Sequence, residues 1–227
     1  MFKQIKDKIK NSGIVGKAEY GKTWQEKSGS EQIEWYEKMH NSCLKMHDDF
    51  KKFLAEKSPA TVLEVGCGAG YYPIKLKELF RGMEYTGIDI SETAIKACKS
   101  KSTFDFICTD FLKKGINKKF DLVFSHATID HVYDVDLFIE KIIESSNRFA
   151  YITAYRGYFP DLKKHVMRRN NTDGSYYNDI STKQLTKKLL SMGLQEKEFS
   201  FNSIKVADEG KDDDWQTIIK IEKSRND

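Results

Sequence analysis

Val62-Leu63-Glu64-Val65-Gly66-Cys67-Gly68-Ala69-Gly70 is the stretch on which the fold turns. An apolar strand, Ala60 to Val65, runs straight into three alternating glycines, and a helical pattern, Tyr71 to Phe80, follows. Gly66, Gly68 and Gly70 carry no Cβ, so the backbone can take positive φ there and something large can approach it closely. The helix that follows offers unpaired N–H groups and the positive end of its dipole to an anionic group such as a carboxylate. Glycines alone also make an ordinary tight turn, so the surroundings have to decide.

Downstream, short apolar runs alternate with helical patterns. Tyr85 to Ile90 reads as a strand, and Ser91 caps a helix that runs to about Ser100. Strands follow at Phe104 to Asp110 and Phe120 to Ser125, then a helix over Val135 to Glu144 and a strand at Phe149 to Ala154. Alternation of this kind predicts right-handed βαβ units, hence an α/β doubly wound and largely parallel sheet with helices on both faces. A long polar segment reaches Ile180; Ser181-Thr182-Lys183-Gln184 is a capping box opening a helix to Met192, and Gly193 suits its stop. Two strand-like runs, about Glu196 to Val206 and Trp215 to Glu222, flank a charged turn at Asp208 to Asp214 and predict a C-terminal antiparallel hairpin.

Upstream of Pro59 the rhythm differs. Ile33, Tyr36, Met39, His40, Cys43, Leu44, His47, Phe50, Phe53 and Leu54 recur at helical spacing and predict one long amphipathic helix. Gly21 to Ser30 is polar, with a lone Trp24, and reads as a loop or lid. The expected organisation is an N-terminal helical lid or extension over 1–57 and one domain over 58–227, with a substrate loop at about 155–180.

The chain has 227 residues, 39% apolar and 32% charged, with a formal charge of +4. That suits one core with a solvated surface and is too mild a charge to indicate nucleic acid. There is no 18-residue apolar run, and the amino terminus lacks an apolar signal core, so no membrane span or signal peptide is expected and the location is read as cytoplasmic. Cys43, Cys67, Cys98 and Cys108 form no C-x-x-C pair; they read as reduced thiols, which argues against a disulfide framework or a zinc site.

Asp89 stands nineteen residues past Gly70, at the end of the second strand, and Asp110 at the end of the third. In doubly wound sheets ligands bind in the crevice outside the carboxyl ends of the strands, and an acid at the second strand accepts ribose hydroxyls. Taken with these two acids, the segment resembles the first motif of class I S-adenosylmethionine-dependent methyltransferases, an acid followed by G-x-G-x-G. Tyr85 to Ser91, Cys108-Thr109-Asp110-Phe111 and Phe120 to Ser125 resemble that family's next three strands. The resemblance covers roughly residues 60–222 and implies a seven-stranded, mostly parallel sheet with one reversed strand. It implies S-adenosylmethionine as cofactor and S-adenosylhomocysteine as product. Gly66, Cys67, Gly68 and Gly70 would line the methionine part, Glu64 would lie near its amino group, and Asp89 with Ile90 would hold the ribose. Asp110 would reach the adenine amino group, the backbone at Phe111 would bond the ring, and Ser125 and His126 would lie beside the sulfonium. A nicotinamide fingerprint would carry two residues between its second and third glycines; here there is only Ala69.

Methyl transfer from a sulfonium mainly needs alignment and exclusion of water, with a base only where the acceptor must lose a proton early. His126 is the first candidate base, and a cofactor contact is its competing role. His131 is the second; the resemblance makes it more often a brace of the loop with Asp130. Asp130, Asp134 and Asp136 could bind Mg²⁺, but helix capping explains two of them, and no metal is expected.

The 155–180 loop mixes aromatics and cations that can grip a phosphate, a carboxylate or a nucleotide-linked sugar. Tyr155, Arg156, Arg168, Arg169, Tyr177 and Asn178 are its candidate acceptor contacts, joined by Tyr20 and Trp24 from the N-terminal loop. The expected activity is O- or N-methylation of a small polar metabolite, a sugar or an anionic compound among the candidates. An RNA-directed methyltransferase and a non-catalytic partner subunit are the alternatives. Ser125-His126-Ala127-Thr128 lacks the acid or Asn with prolines that the family's adenine-amino enzymes carry there, and no Pro-Cys nucleophile is present.

Overall fold

The computed structural model describes residues 18–34, 44–155, 158–205 and 215–224. Tyr36, Met39, His40 and Cys43 of the expected long helix, Arg156, and the charged turn at Asp208 to Asp214 lie outside the described residues.

Seven strands form one sheet: β1 (Thr61–Val65), β2 (Glu84–Asp89), β3 (Asp105–Cys108), β4 (Phe120–His126), β5 (Ser146–Ala154), β9 (Phe199–Lys205) and β10 (Trp215–Glu222), in the order β3-β2-β1-β4-β5-β10-β9. β1 pairs in parallel with β2 and with β4, while β10 runs antiparallel to both β5 and β9. The sheet order reverses around β1 and β4, so the carboxyl ends of β1, β2 and β4 open a crevice there. Side chains alternate across the pleat. Leu63, Val65, Val123, Ile152 and Ile219 face one core, and Val62, Leu122, Phe124, Tyr151 and Ile218 face the other.

The first core is covered by α5 (Val135–Ser145) and α6 (Thr182–Ser191). Val135, Phe138, Ile139, Ile142 and Ile143 give α5 one buried stripe at helical spacing. The second is covered by α2 (Leu44–Lys57) and α3 (Glu92–Lys101), through Phe50, Phe53, Leu54, Ile95 and Cys98. Among the described residues no helix is long and apolar enough to cross a membrane.

Four expectations need correction. Tyr71 to Phe80 is not one helix but a π-helical turn, Tyr71–Lys75, followed by a 3-10 turn, Lys77–Phe80. Pro73 removes a backbone donor inside it. Phe104 to Asp110 is strand only as far as Cys108; Asp110 caps a short helix, α4 (Phe111–Lys114), by accepting from Leu112 N and Lys113 N. The last pair of strands starts later, because Glu196–Glu198 is a 3-10 turn. The 155–180 segment is no plain loop. β6 (Tyr158–Phe159), β7 (Val166–Arg169) and β8 (Tyr176–Ser181) form a small sheet in the order β6-β8-β7. Its hairpin turns at Asn170-Asn171-Thr172-Asp173-Gly174, where Asn170 and Asp173 side chains bond the local backbone and Gly174 takes φ 73.

Candidate active site

The crevice is built from the strand ends upward. Gly66 (φ 79) and Gly68 (φ 52) turn the chain off β1, and both line the cavity. A Cβ on Gly66 would stand 2.1 Å from Thr128 Oγ1, so a side chain there would collide with the loop after β4. Asp89 closes the next strand. Its Oδ2 accepts from Gly68 N at 2.9 Å and its Oδ1 from Ser91 N at 2.8 Å, so the carboxylate is aimed by backbone on both sides. Burial pushes its pKa up, and the backbone hydrogen bonds work against that shift. Asp110 is shared between two tasks. Its Oδ1 caps α4, while its Oδ2 is buried without a hydrogen-bond partner, with Lys113 Nζ at 3.6 Å.

An N-terminal strap roofs this crevice. Gly21 opens α1 (Lys22–Gln25) against Ile90, and residues 29–34 are helical. The second helix starts on a capping box: Glu31 N donates to Ser28 Oγ, and Ser28 N donates to Glu31 Oε2. On one side the strap is sewn to the β7–β8 turn, where Ala18 N donates to Asn171 O, Thr23 N to Asp173 O and Arg169 to Ala18 O. On the other side Gln32 Nε2 and Ser91 Oγ both donate to Trp24 O, at 3.2 and 3.1 Å. Tyr20, Trp24 and Gln32 therefore stand in the crevice wall. Tyr20 lies edge-on to Tyr133, and burial, then the Asp110 and Asp89 carboxylates among others, raises its phenol pKa. Tyr133 is raised to about 12, by burial first and the Asp110 charge next.

Of the residues expected at the cofactor, Gly66, Gly68, Asp89, Ile90, Asp110 and Phe111 line the crevice. Glu64, Cys67, Gly70, Ser125 and His126 are not among its walls. Glu64 shares the pleat face of Val62 and accepts from the Tyr85 hydroxyl in the second core. Burial drives its carboxyl up to about 8, against the Tyr85 hydrogen bond and with help from Asp89. Ser125 ties β4 to β1 through Val65 O at 2.7 Å. Cys67 and Cys98 both direct their thiols at Gly68 O from below.

His126 also points into the second core. Its ring stacks on Tyr72 at 4.5 Å, and its Nδ1 meets Thr153 Oγ1 at 2.9 Å. Burial, then His47, holds its pKa well below the ordinary histidine value. Leu122, Phe124 and His126 alternate onto one face of β4, which is why the ring turns from the crevice. His131 is the histidine that lines it. It sits in a 3-10 turn, Ile129–His131, and its Nδ1 meets Tyr176 O at 2.7 Å.

The acceptor candidates gather around His131. Trp24 lies 5.2 Å from it, and Tyr155 and Tyr177 each 5.5 Å. Asn178 is fully buried and donates to Ile129 O and Val132 O, bracing the turn that carries His131. Arg168 pairs with Asp179, and Arg169 bonds Asn171 Oδ1 and Ala18 O. Asp130 is buried and accepts from Tyr155 N, Asp134 caps α5, and Asp136 holds Gln184 and His165. Among the described residues no cluster of three His, Cys, Asp or Glu is set to hold a metal. Gln32 and Thr128 escaped the sequence reading; the Ser28-x-x-Glu31 box was the available sign that Gln32 is held on a helix.

The adenosyl sulfonium fits this arrangement on two counts. The buried Asp110 Oδ2 can accept one hydrogen of an exocyclic amine, and the Gly66–Gly68 backbone lines the crevice without a side chain.

The chain is similar to known proteins. A family described as a methyltransferase domain matches residues 56–217. A malonyl-(acyl-carrier protein) O-methyltransferase from Acetivibrio thermocellus is 33% identical over 111 residues, 48% of this chain and 38% of that protein. A ubiquinone biosynthesis O-methyltransferase from Bradyrhizobium diazoefficiens is 33% identical over 85 residues, 35% of this chain and 33% of that protein. The chain thus matches well under two thirds of the length of these relatives. The magnesium protoporphyrin IX methyltransferase of Synechocystis PCC 6803, solved with bound S-adenosylmethionine, shares the fold with a TM-score of 0.57 at 16% identity, over 81% of this chain and 80% of that one. A plantazolicin methyltransferase solved with S-adenosylhomocysteine does so at 0.59 and 14% identity, over 97% of this chain and 100% of that one.

Proposed function

The chain belongs to the methyltransferase-domain family, of the class I S-adenosylmethionine-dependent kind, and from that premise we propose that it methylates a small acceptor presented to the crevice that Trp24 and His131 line. The observation that carries the reading is the meeting of three features at adjacent strand ends: the Gly66–Gly68 bend, the backbone-aimed Asp89, and the unsatisfied Oδ2 of Asp110. Bound there, the cofactor supplies an electrophilic methyl group on a sulfonium whose departure leaves a neutral thioether. Asp89 would take the ribose hydroxyls, Asp110 the adenine amino group, and the Gly66–Gly68 backbone the methionine end.

His131 takes the place of His126 as candidate base. A carbonyl oxygen only accepts, so the Tyr176 contact places a proton on Nδ1 and fixes how the ring is turned in the crevice wall. Tyr20, Trp24 and the β6-β8-β7 sheet would exclude water while the methyl moves. The named relatives act on different acceptors but share O-methylation, which favours oxygen here. The crevice wall holds no Lys or Arg among the described residues, which favours a small molecule over RNA.

Isothermal titration with S-adenosylhomocysteine tests the assignment. The parent should bind, and Asp89→Ala should weaken binding at least tenfold. Absence of heat from the parent would favour a non-catalytic partner subunit instead.

A further inference from the structure

The N-terminal strap carries a neutral amide into the crevice wall. Gln32 lies on the helical turn at 29–34 that the Ser28–Glu31 box opens, and it is 6% exposed. That turn is seated closely. A Cβ on Gly29 would stand 2.6 Å from Ala97 Cβ on α3 and 4.0 Å from Ala69 Cβ beside the glycine bend. Gln32 thus shares the crevice wall with Gly68, Asp89 and Ile90.

Its neighbours decide which way round the amide stands. The nitrogen meets Trp24 O at 3.2 Å, Ser91 Oγ at 3.4 Å and Lys27 O at 3.5 Å. Carbonyl oxygens only accept, so the atom that faces two of them is the donating nitrogen. The oxygen takes the other branch of the amide, and it is the acceptor that Gln32 brings to the crevice.

Ser91 ties this amide to the acid at the end of β2. Its N donates to Asp89 Oδ1 at 2.8 Å, while its Oγ receives the Gln32 amide and donates to Trp24 O. One residue therefore fixes the carboxylate from the sheet side and the amide from the strap side. Both Asp89 oxygens already accept a backbone N–H, from Ser91 and from Gly68. A vicinal diol brings two O–H donors to such a place. Two acceptors at one strand end let the hydroxyls donate separately, and a neutral amide does this without setting a second charge beside the carboxylate.

We infer that Gln32 is a ribose-binding residue whose Oε1 accepts from one ribose hydroxyl beside Asp89, so that the sugar joins strap to sheet; this rests on the cofactor reading proposed above. Asp89 holds the diol from below and Gln32 from the strap. Recognition of the sugar and closure of the strap are then one event. A nucleoside that lacks the hydroxyl facing Gln32 loses affinity and its hold on the strap together.

The test is calorimetry of the full chain with S-adenosylhomocysteine and with its 2′-deoxy and 3′-deoxy forms. The parent should bind each deoxy form roughly fivefold or more weakly than S-adenosylhomocysteine. Gln32→Leu should lose about fivefold or more on S-adenosylhomocysteine, yet less than about twofold on one deoxy form, the one whose missing hydroxyl is the amide's partner. Gln32→Glu gives up the amide donor but keeps an acceptor there, so it should still discriminate between S-adenosylhomocysteine and that form. In the parent, saturating S-adenosylhomocysteine should slow trypsin cutting at Lys22 and Lys27 about threefold more than the same deoxy form at saturation. Equal losses by Gln32→Leu on all three ligands, no discrimination in Gln32→Glu, or equal protection of the strap by all three would overturn the Gln32 assignment and leave the cofactor reading standing. No binding of S-adenosylhomocysteine by the parent would overturn both.

Discussion

Single residues set the chemistry of this crevice, and two of them make measurable claims. Glu64 lies in the second core against Tyr85, and burial lifts its carboxyl from an ordinary 4.5 to about 8. The folded state therefore holds that proton more tightly than the unfolded chain. Its contribution is fully present below the unfolded value and is lost as pH climbs from about 4.5 to about 8. Glu64→Gln keeps an acceptor for Tyr85 and removes the titration. Urea midpoints should show the variant gaining on the parent between pH 5 and pH 9, by a difference on the order of 3 kcal/mol; an equal offset at both pH values would contradict the assignment. Gly66 makes the second claim. At φ 79, with Thr128 Oγ1 only 2.1 Å from an added Cβ, Gly66→Ala should cost about 3 kcal/mol in strain and overlap. Adding Thr128→Ala should recover the overlap but not the backbone strain, and a double-mutant cycle reads the difference. At this scale the position of Asp89 and Asp110 in the crevice was legible from their spacing together with the strand ends they follow. The direction of His126 was equally present in the letters, since Leu122, Phe124 and His126 recur at period two, but the motif drew attention to its position along the strand rather than to its face. His131 owes its place in the crevice to a 3-10 turn, which leaves no periodic trace.

Elements show where local signals succeed and where they compete. Ser181 caps α6 as its sequence announces, accepting from Gln184 N at 3.1 Å, but the reciprocal half of the box does not form. Gln184 instead reaches Asp136 and His165 N, and Ser181 N is taken by His165 Nδ1. Tertiary partners outbid the local one. Ser181 Oγ also donates to Leu162 O at 2.6 Å, so Ser181→Ala should destabilise by about 1–2 kcal/mol and loosen the β6–β7 connection together with α6. Amide exchange of both segments should quicken; acceleration confined to α6 would show that the cap alone matters. The small β6-β8-β7 sheet went unread because β6 spans only two residues and β7 is largely exposed, so neither shows alternation. Its turn, with two Asn, an Asp and a Gly in five residues, was the readable part.

At the scale of the molecule, the strap and the crevice act as one unit. Residues 18–32 are stitched to the β7–β8 turn at one end and to Ser91 at the other, with Tyr20 and Trp24 facing inward between them. A ligand beneath them adds contacts only in the closed arrangement, so it should stabilise that arrangement. Trypsin cutting at Lys22 and Lys27 should slow at least fivefold at saturating S-adenosylhomocysteine, whereas unchanged cutting would separate the strap from the site. The parallel sheet, its reversed strand and the strand-end acids followed from the alternation of apolar runs. The strap's path did not, because it depends on contacts with residues some 150 positions away, such as Arg169 to Ala18.

The central claim is that the ends of β1, β2 and β3 hold the adenosyl sulfonium, and a crystal structure of the protein with S-adenosylhomocysteine tests it most directly. The adenine amino group should lie within hydrogen-bond reach of Asp110 Oδ2, the ribose hydroxyls on Asp89, and the methionine chain along Gly66 and Gly68. A nucleoside bound away from Asp89 and Asp110, or packed against His126 in the second core, would contradict it.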